Sequence, residues 1–144
     1  MASPRTGRDH DIHNQGPPFA DVNFFTSDLA LREAVAREGD AAAGALEAFG
    51  KLAGSAGALD LGRLANEHPP RLRSHDPQGR RIDHVEFHPA YHRLIGMAAQ
   101  QVLHCSPFEH LSQGGEPRKG AHVTRCAGSY MAAQMEPGHC CPTR

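Results

Sequence analysis

The chain has 144 residues, a formal net charge of −1 and a mean hydropathy of −0.52. That length fits one domain. Leu, Ile, Val and Phe together fall below the ~20% at which burial becomes weak, so the core is thin and alanine fills much of the apolar quota. The near-zero charge excludes a generally basic nucleic-acid surface, and no apolar run is long enough to span a membrane.

Residues 1–16 read as a flexible polar tail ended by Gly16-Pro17-Pro18, with no apolar stretch of the kind a secretory signal needs. An extended segment carries Phe19, Val22, Phe24 and Phe25. Thr26 and Ser27 offer an N-cap, Asp28 sits in the first turn, and a helix is expected to Glu38, with Leu31 and Val35 on one face and Gly39 as its stop. A second, alanine-rich helix spans 41–53, with Leu46, Phe49 and Ala53 at helical spacing. A third carries Leu61, Leu64 and Ala65 and ends before Pro69-Pro70.

Asp76-Pro77-Gln78-Gly79 has the composition of a tight turn. Ile82, His84 and Glu86 alternate with Asp83, Val85 and Phe87, which permits a short extended segment but does not argue for a sheet. A fourth helix begins at Pro89, with His88 in the capping position, and carries Leu94, Ala98 and Val102 towards His104. A fifth, over 119–136, presents Val123, Ala127, Tyr130 and Gln134 and stops at Pro137-Gly138. Five helical segments without a convincing sheet give an all-α fold class.

The residues that could carry chemistry do not converge. Arg63, Arg71, Arg73, Arg80 and Arg81 form a basic stretch against Glu67 and Asp76. No aromatic residue is interleaved for base stacking, so a docking or solvated surface is the favoured reading. His88 and His92 are four apart, but His88 precedes a proline and His84 lies outside the helix, so no third metal ligand is specified. His92 is expected to pack or hydrogen-bond inside the bundle. His139-Cys140-Cys141 lacks the spacing of a zinc ribbon. His122 and Cys126 are at helix spacing but have no orienting carboxylate or oxyanion hole nearby in sequence. The four cysteines, Cys105 included, read as reduced thiols, which with the missing signal gives a cytoplasmic expectation. No catalytic, cofactor-binding or metal residue is assigned.

Several stretches resemble the start of the AidB-type, DNA-alkylation-response branch of the acyl-CoA dehydrogenase superfamily. They are Asn14 to Pro18 with Asn23-Phe24-Phe25 and Asp28, Glu33 to Gly39, and Leu61 to Asn66 followed by Pro69-Pro70. Asp76 to Arg81, Val85 to His92 and Arg125 to Pro142 follow in the same order. The resemblance implies an N-terminal helical bundle over 17–142, with Cys141-Pro142 as the exit towards a β domain and 143–144 as the start of a truncated linker. It also implies, for the whole protein, FAD bound between the β and C-terminal domains, a homotetramer, weak acyl-CoA dehydrogenase activity and a DNA-binding region near the far C-terminus. All of these functional regions lie beyond Arg144, so the chain is expected to be a structural fragment inactive alone. A free-standing helical interaction module and a small zinc or thiol protein using His88, His92 and Cys140 are the competing readings.

Overall fold

The segment before the first helix is ordered by one asparagine. In the computed structural model, which describes residues 14, 16–17, 19–39, 42–101, 108, 114–116 and 118–138, Asn23 Oδ1 accepts from the Phe25 and Thr26 amides at 3.0 and 3.2 Å. Its Nδ2 donates to the Glu47 carbonyl at 3.0 Å, and the Phe24 amide donates to the Gly50 carbonyl at 3.1 Å. These bonds hold Phe24 and Phe25 over the second helix, and both rings are buried.

The helices are α1 (Leu29–Gly39), α2 (Ala43–Ala53), α3 (Ala56–Glu67), α4 (Pro89–Gln100) and α5 (Ala121–Met135). Asp28, rather than Thr26 or Ser27, caps α1: its Oδ1 accepts from the Leu31 amide at 2.9 Å. The expected cap is displaced because Asn23 already organises the preceding turn, where the Ser27 hydroxyl donates to the Asn23 carbonyl at 2.8 Å. Ser55 caps α3 by accepting from Ala58 at 3.2 Å. His88 caps α4, with Nδ1 accepting from Ala90 at 3.2 Å, and Pro89 occupies the first helical position. The α4 helix closes at Gln101, so Val102 and the expected extension to His104 lie outside the described residues. The same holds for the expected tail, apart from Asn14 and Gly16, and for the expected linker at 143–144.

The core forms where α5 packs against α1, α2 and α3, while α4 packs on α3. Val35, Leu94 and Met131 are fully buried, with Phe49, Leu46, Ala53 and Met135 around them. The buried face of α5 comprises Ala127, Gly128, Met131, Ala132 and Met135. Tyr130 and Gln134, expected on that face, are exposed instead. The two sets differ by one position of rotation, and α1, α2 and α3 cover the side of α5 that carries Met131, Ala132 and Met135.

The fold is mostly helical but not all-α. Arg71–His75 (β1) and Arg81–Glu86 (β2) form an antiparallel two-stranded sheet, pairing Arg71 with Glu86, Leu72 with Val85 and Arg73 with His84. The turn follows the sequence expectation: Asp76 Oδ1 accepts from the Gln78 and Arg80 amides at 2.9 and 2.8 Å, and Gly79 takes the positive φ of 81°. A bulge between Arg73 and His75 places Asp83 at φ 45°. Every strand residue is exposed, so neither face shows the clean apolar–polar alternation that marks a half-buried strand. That is why periodicity did not argue for a sheet here.

Candidate functional site

The residues singled out for chemistry are dispersed. His84 lies on β2 opposite Arg73, and His88 spends its Nδ1 lone pair on the α4 cap. His92 is exposed rather than packed within the bundle, with its ring edge-on to Phe87 at 5.8 Å and Tyr91 at 6.1 Å. Among the described residues no three His, Cys, Asp or Glu side chains are grouped to hold a metal ion. His122 and Cys126 share the exposed side of α5, where His122 meets the edge of Phe108 at 6.4 Å. Cys105 and His139-Cys140-Cys141 lie outside the described residues.

The basic stretch is largely neutralised within itself. Arg63 is bonded to Glu67 at 2.6 Å and to Asp60 at 2.7 Å, an arrangement that raises its pKa above the ordinary value, the Glu67 hydrogen bond first and the Asp60 bond second. Arg73 pairs with Glu86 at 2.8 Å and Arg81 with Asp83 at 2.7 Å. These exposed pairs leave little excess positive potential for a polyanion and fit a hydrated surface.

Two clefts are better formed. One, of about 340 Å³, opens between the start of α1 and the outer face of α5. Phe19 stacks on Phe24 at 5.9 Å along it, Leu29 is exposed, and the Tyr130 hydroxyl donates to Asp28 Oδ2 at 3.4 Å. The other, of about 300 Å³, lies where the end of α3, the start of α4 and the end of α5 meet. Pro69 and Pro70 form one wall, and the stacked rings of Phe87 and Tyr91, 4.7 Å apart, form another. Asn66 and Glu136 supply the polar lining.

Sequence reasoning missed two features of this region. Glu136 is only 6% exposed, with Oε1 accepting from the Gly138 amide at 2.8 Å. Its position just past α5 and before Pro137-Gly138 was the available signal: a carboxylate there can turn back onto the chain that follows. His68, which closes α3, stacks on His88 with centroids 4.7 Å apart, so the two ends of the hairpin are brought together by imidazoles. No local pattern announces that contact, since the residues are joined only through the hairpin.

The comparisons with known proteins agree with this fold. Residues 14–144 match the family model described as the adaptive response protein AidB N-terminal domain. The chain is 42% identical over 134 residues to the putative acyl-CoA dehydrogenase AidB of Escherichia coli (strain K12), covering 92% of this chain and 24% of that protein. It is also similar to the solved apo-form of Bd2924, with a TM-score of 0.68 and 26% identity over 85% of this chain and 24% of the other. Caenorhabditis elegans ACDH-11, solved in complex with C11-CoA, shares the fold with a TM-score of 0.64 at 20% identity, over 90% of this chain and 23% of that one. The chain thus spans about a quarter of the length of these relatives. It belongs to the AidB N-terminal domain family, the helical N-terminal part of an acyl-CoA-dehydrogenase-like protein.

Proposed function

We propose that this chain is the N-terminal wall of an AidB-type flavoprotein and that its role is structural. The observation carrying this reading is the family match across residues 14–144, combined with coverage of only about a quarter of the relatives' length. The thin core and the bare hairpin support it, because both are features of a unit that shares its surface with further domains. In this reading a β domain and a C-terminal helical domain of the same protein cover that surface, and the whole assembles as a homotetramer. Its role is in the response to DNA alkylation in the cytoplasm, with DNA met by the far C-terminal region.

FAD belongs to the whole protein in this proposal. The described residues do not fit a flavin site by themselves. Neither cleft is lined by a lysine or arginine that could meet a pyrophosphate, and each is small for a dinucleotide. Flavin binding and any acyl-CoA chemistry are therefore assigned to the rest of the fold.

The test is purification of the chain alone and after co-expression with the remaining three-quarters of the Escherichia coli relative. The expected result is no flavin on the chain alone and flavin retained by the co-purified pair. A chain that purifies loaded with FAD, or that never associates with the complementary part, would overturn the proposal.

A further inference from the structure

Every residue of β1 and β2 is exposed, and among the described residues no third strand joins them. A two-stranded hairpin is at best marginally stable in water, and its outer edges present unpaired amides and carbonyls. Residues paired across a ladder lie on one side of the sheet, so Arg71, Arg73 and His75 share a face with Glu86, His84 and Arg81. His84 and Arg81 stand opposite residues two apart although they are themselves three apart, and the bulge at Asp83 takes up the extra position. It thereby moves Ile82 off the face of His84 and Glu86 and onto that of Leu72 and Val85. Those three apolar residues, Ile82, Leu72 and Val85, are 45%, 64% and 44% exposed.

The second strand is its own complement when reversed. Laid antiparallel to a second copy, Arg81-Ile82-Asp83-His84-Val85-Glu86 sets Arg81 against Glu86 and Ile82 against Val85, each contact occurring twice. The two residues at the axis, Asp83 and His84, bring no like charges face to face. A two-fold axis normal to the sheet keeps each face on its own side, so opposed residues must come from the same face. The bulge meets that condition, because it puts Arg81 on the side of Glu86 and Ile82 on the side of Val85. In a regular strand each of these pairs would straddle the sheet. We propose that the free edge of β2 pairs antiparallel with the same edge of a second copy of this chain, giving a continuous four-stranded sheet. Opposite charges directly across a ladder attract and like charges destabilise it. The β1 edge fails this comparison, since paired with itself it would set Arg73 against Arg73. Arg81 and Glu86 are bonded within the chain to Asp83 and Arg73 at 2.7 and 2.8 Å, and a guanidinium or a carboxylate has capacity for a second partner. A domain lying on either face of the hairpin leaves this edge open, so the pairing does not rest on the flavoprotein reading.

The experiment is sedimentation equilibrium of the full chain at rising concentration. A concentration-dependent dimer is expected. Arg81→Glu and Glu86→Arg each bring like charges together at two symmetry-related places, and each should weaken self-association about tenfold. Both positions are exposed, so the fold tolerates either change. Mixed together, the two variants regain both opposite-charge contacts, and the mixture should form a heterodimer about as tight as the unaltered homodimer. A chain that stays monomeric up to about 1 mM overturns the pairing. A dimer indifferent to both substitutions places the contact elsewhere and also overturns it, as do weakened variants that mixing does not restore. Flavin content plays no part in this readout, so its failure is separate from failure of the flavoprotein reading.

Discussion

Gly62 on α3 lies directly against the Met135 carbonyl at the end of α5, so that a Cβ at position 62 would collide with that oxygen. The obstacle is backbone, which cannot swing aside as a side-chain tip could. Gly62→Ala therefore forces α3 and α5 apart. Alanine improves helix propensity by roughly 1 kcal/mol, but overpacking costs about 1–3 kcal/mol, and the helices must also reseat. A net loss of stability is expected in chemical denaturation, and a variant as stable as the parent would show that α3 and α5 do not meet this closely.

Burial separates two leucines that hydropathy cannot distinguish. Leu94 is fully buried, whereas Leu72 on β1 is 64% exposed. Leu94→Ala should cost about 2–5 kcal/mol through lost transfer energy and the cavity left behind. Leu72→Ser should change the stability of the chain by no more than about 0.5 kcal/mol. Urea unfolding of the two variants side by side checks the pair, and similar losses for both would place the hairpin inside the core.

The α4 cap depends on an acceptor at His88. His88→Ala removes the bond to the Ala90 amide and should destabilise by about 0.5–2 kcal/mol, while His88→Asn supplies another capping oxygen and should lose much less. Hydrogen exchange at Ala90 reads the effect locally. Equal protection in both variants would mean that the stack on His68, rather than the cap, is what holds this junction.

Metal binding offers a direct discrimination against the zinc reading. That reading uses His88, His92 and Cys140: His88 Nδ1 is taken by the α4 cap, His92 is exposed, and Cys140 lies outside the described residues. Elemental analysis of chain purified without chelator should give well under one zinc per chain. Stoichiometric zinc that survives dialysis and is lost in His92→Ala would restore the zinc reading.

Much of the fold was legible because it is written in short-range chemistry. Pro69-Pro70 ends α3, His88-Pro89 opens α4 and Pro137-Gly138 closes α5, each within a residue or two of the structural boundary. These are local events: a missing amide or a side-chain acceptor acts on the next few residues regardless of the rest of the chain. The turn at Asp76 was legible for the same reason. The order of motifs across the chain likewise sufficed to indicate the family.

Only the tertiary structure decided the sheet, the rotation of α5 and the clefts. β1 and β2 pair through a register that no single residue encodes, and with both faces in water no apolar alternation marks them. Met131 rather than Tyr130 is buried because α1, α2 and α3 converge on that side of α5. Glu136, Asn66 and Tyr91 line one cleft although tens of residues separate them along the chain. A sequence specifies short-range hydrogen bonding residue by residue. Which distant surfaces meet is settled by the packing of all of them at once, and the two clefts belong to that second kind of information.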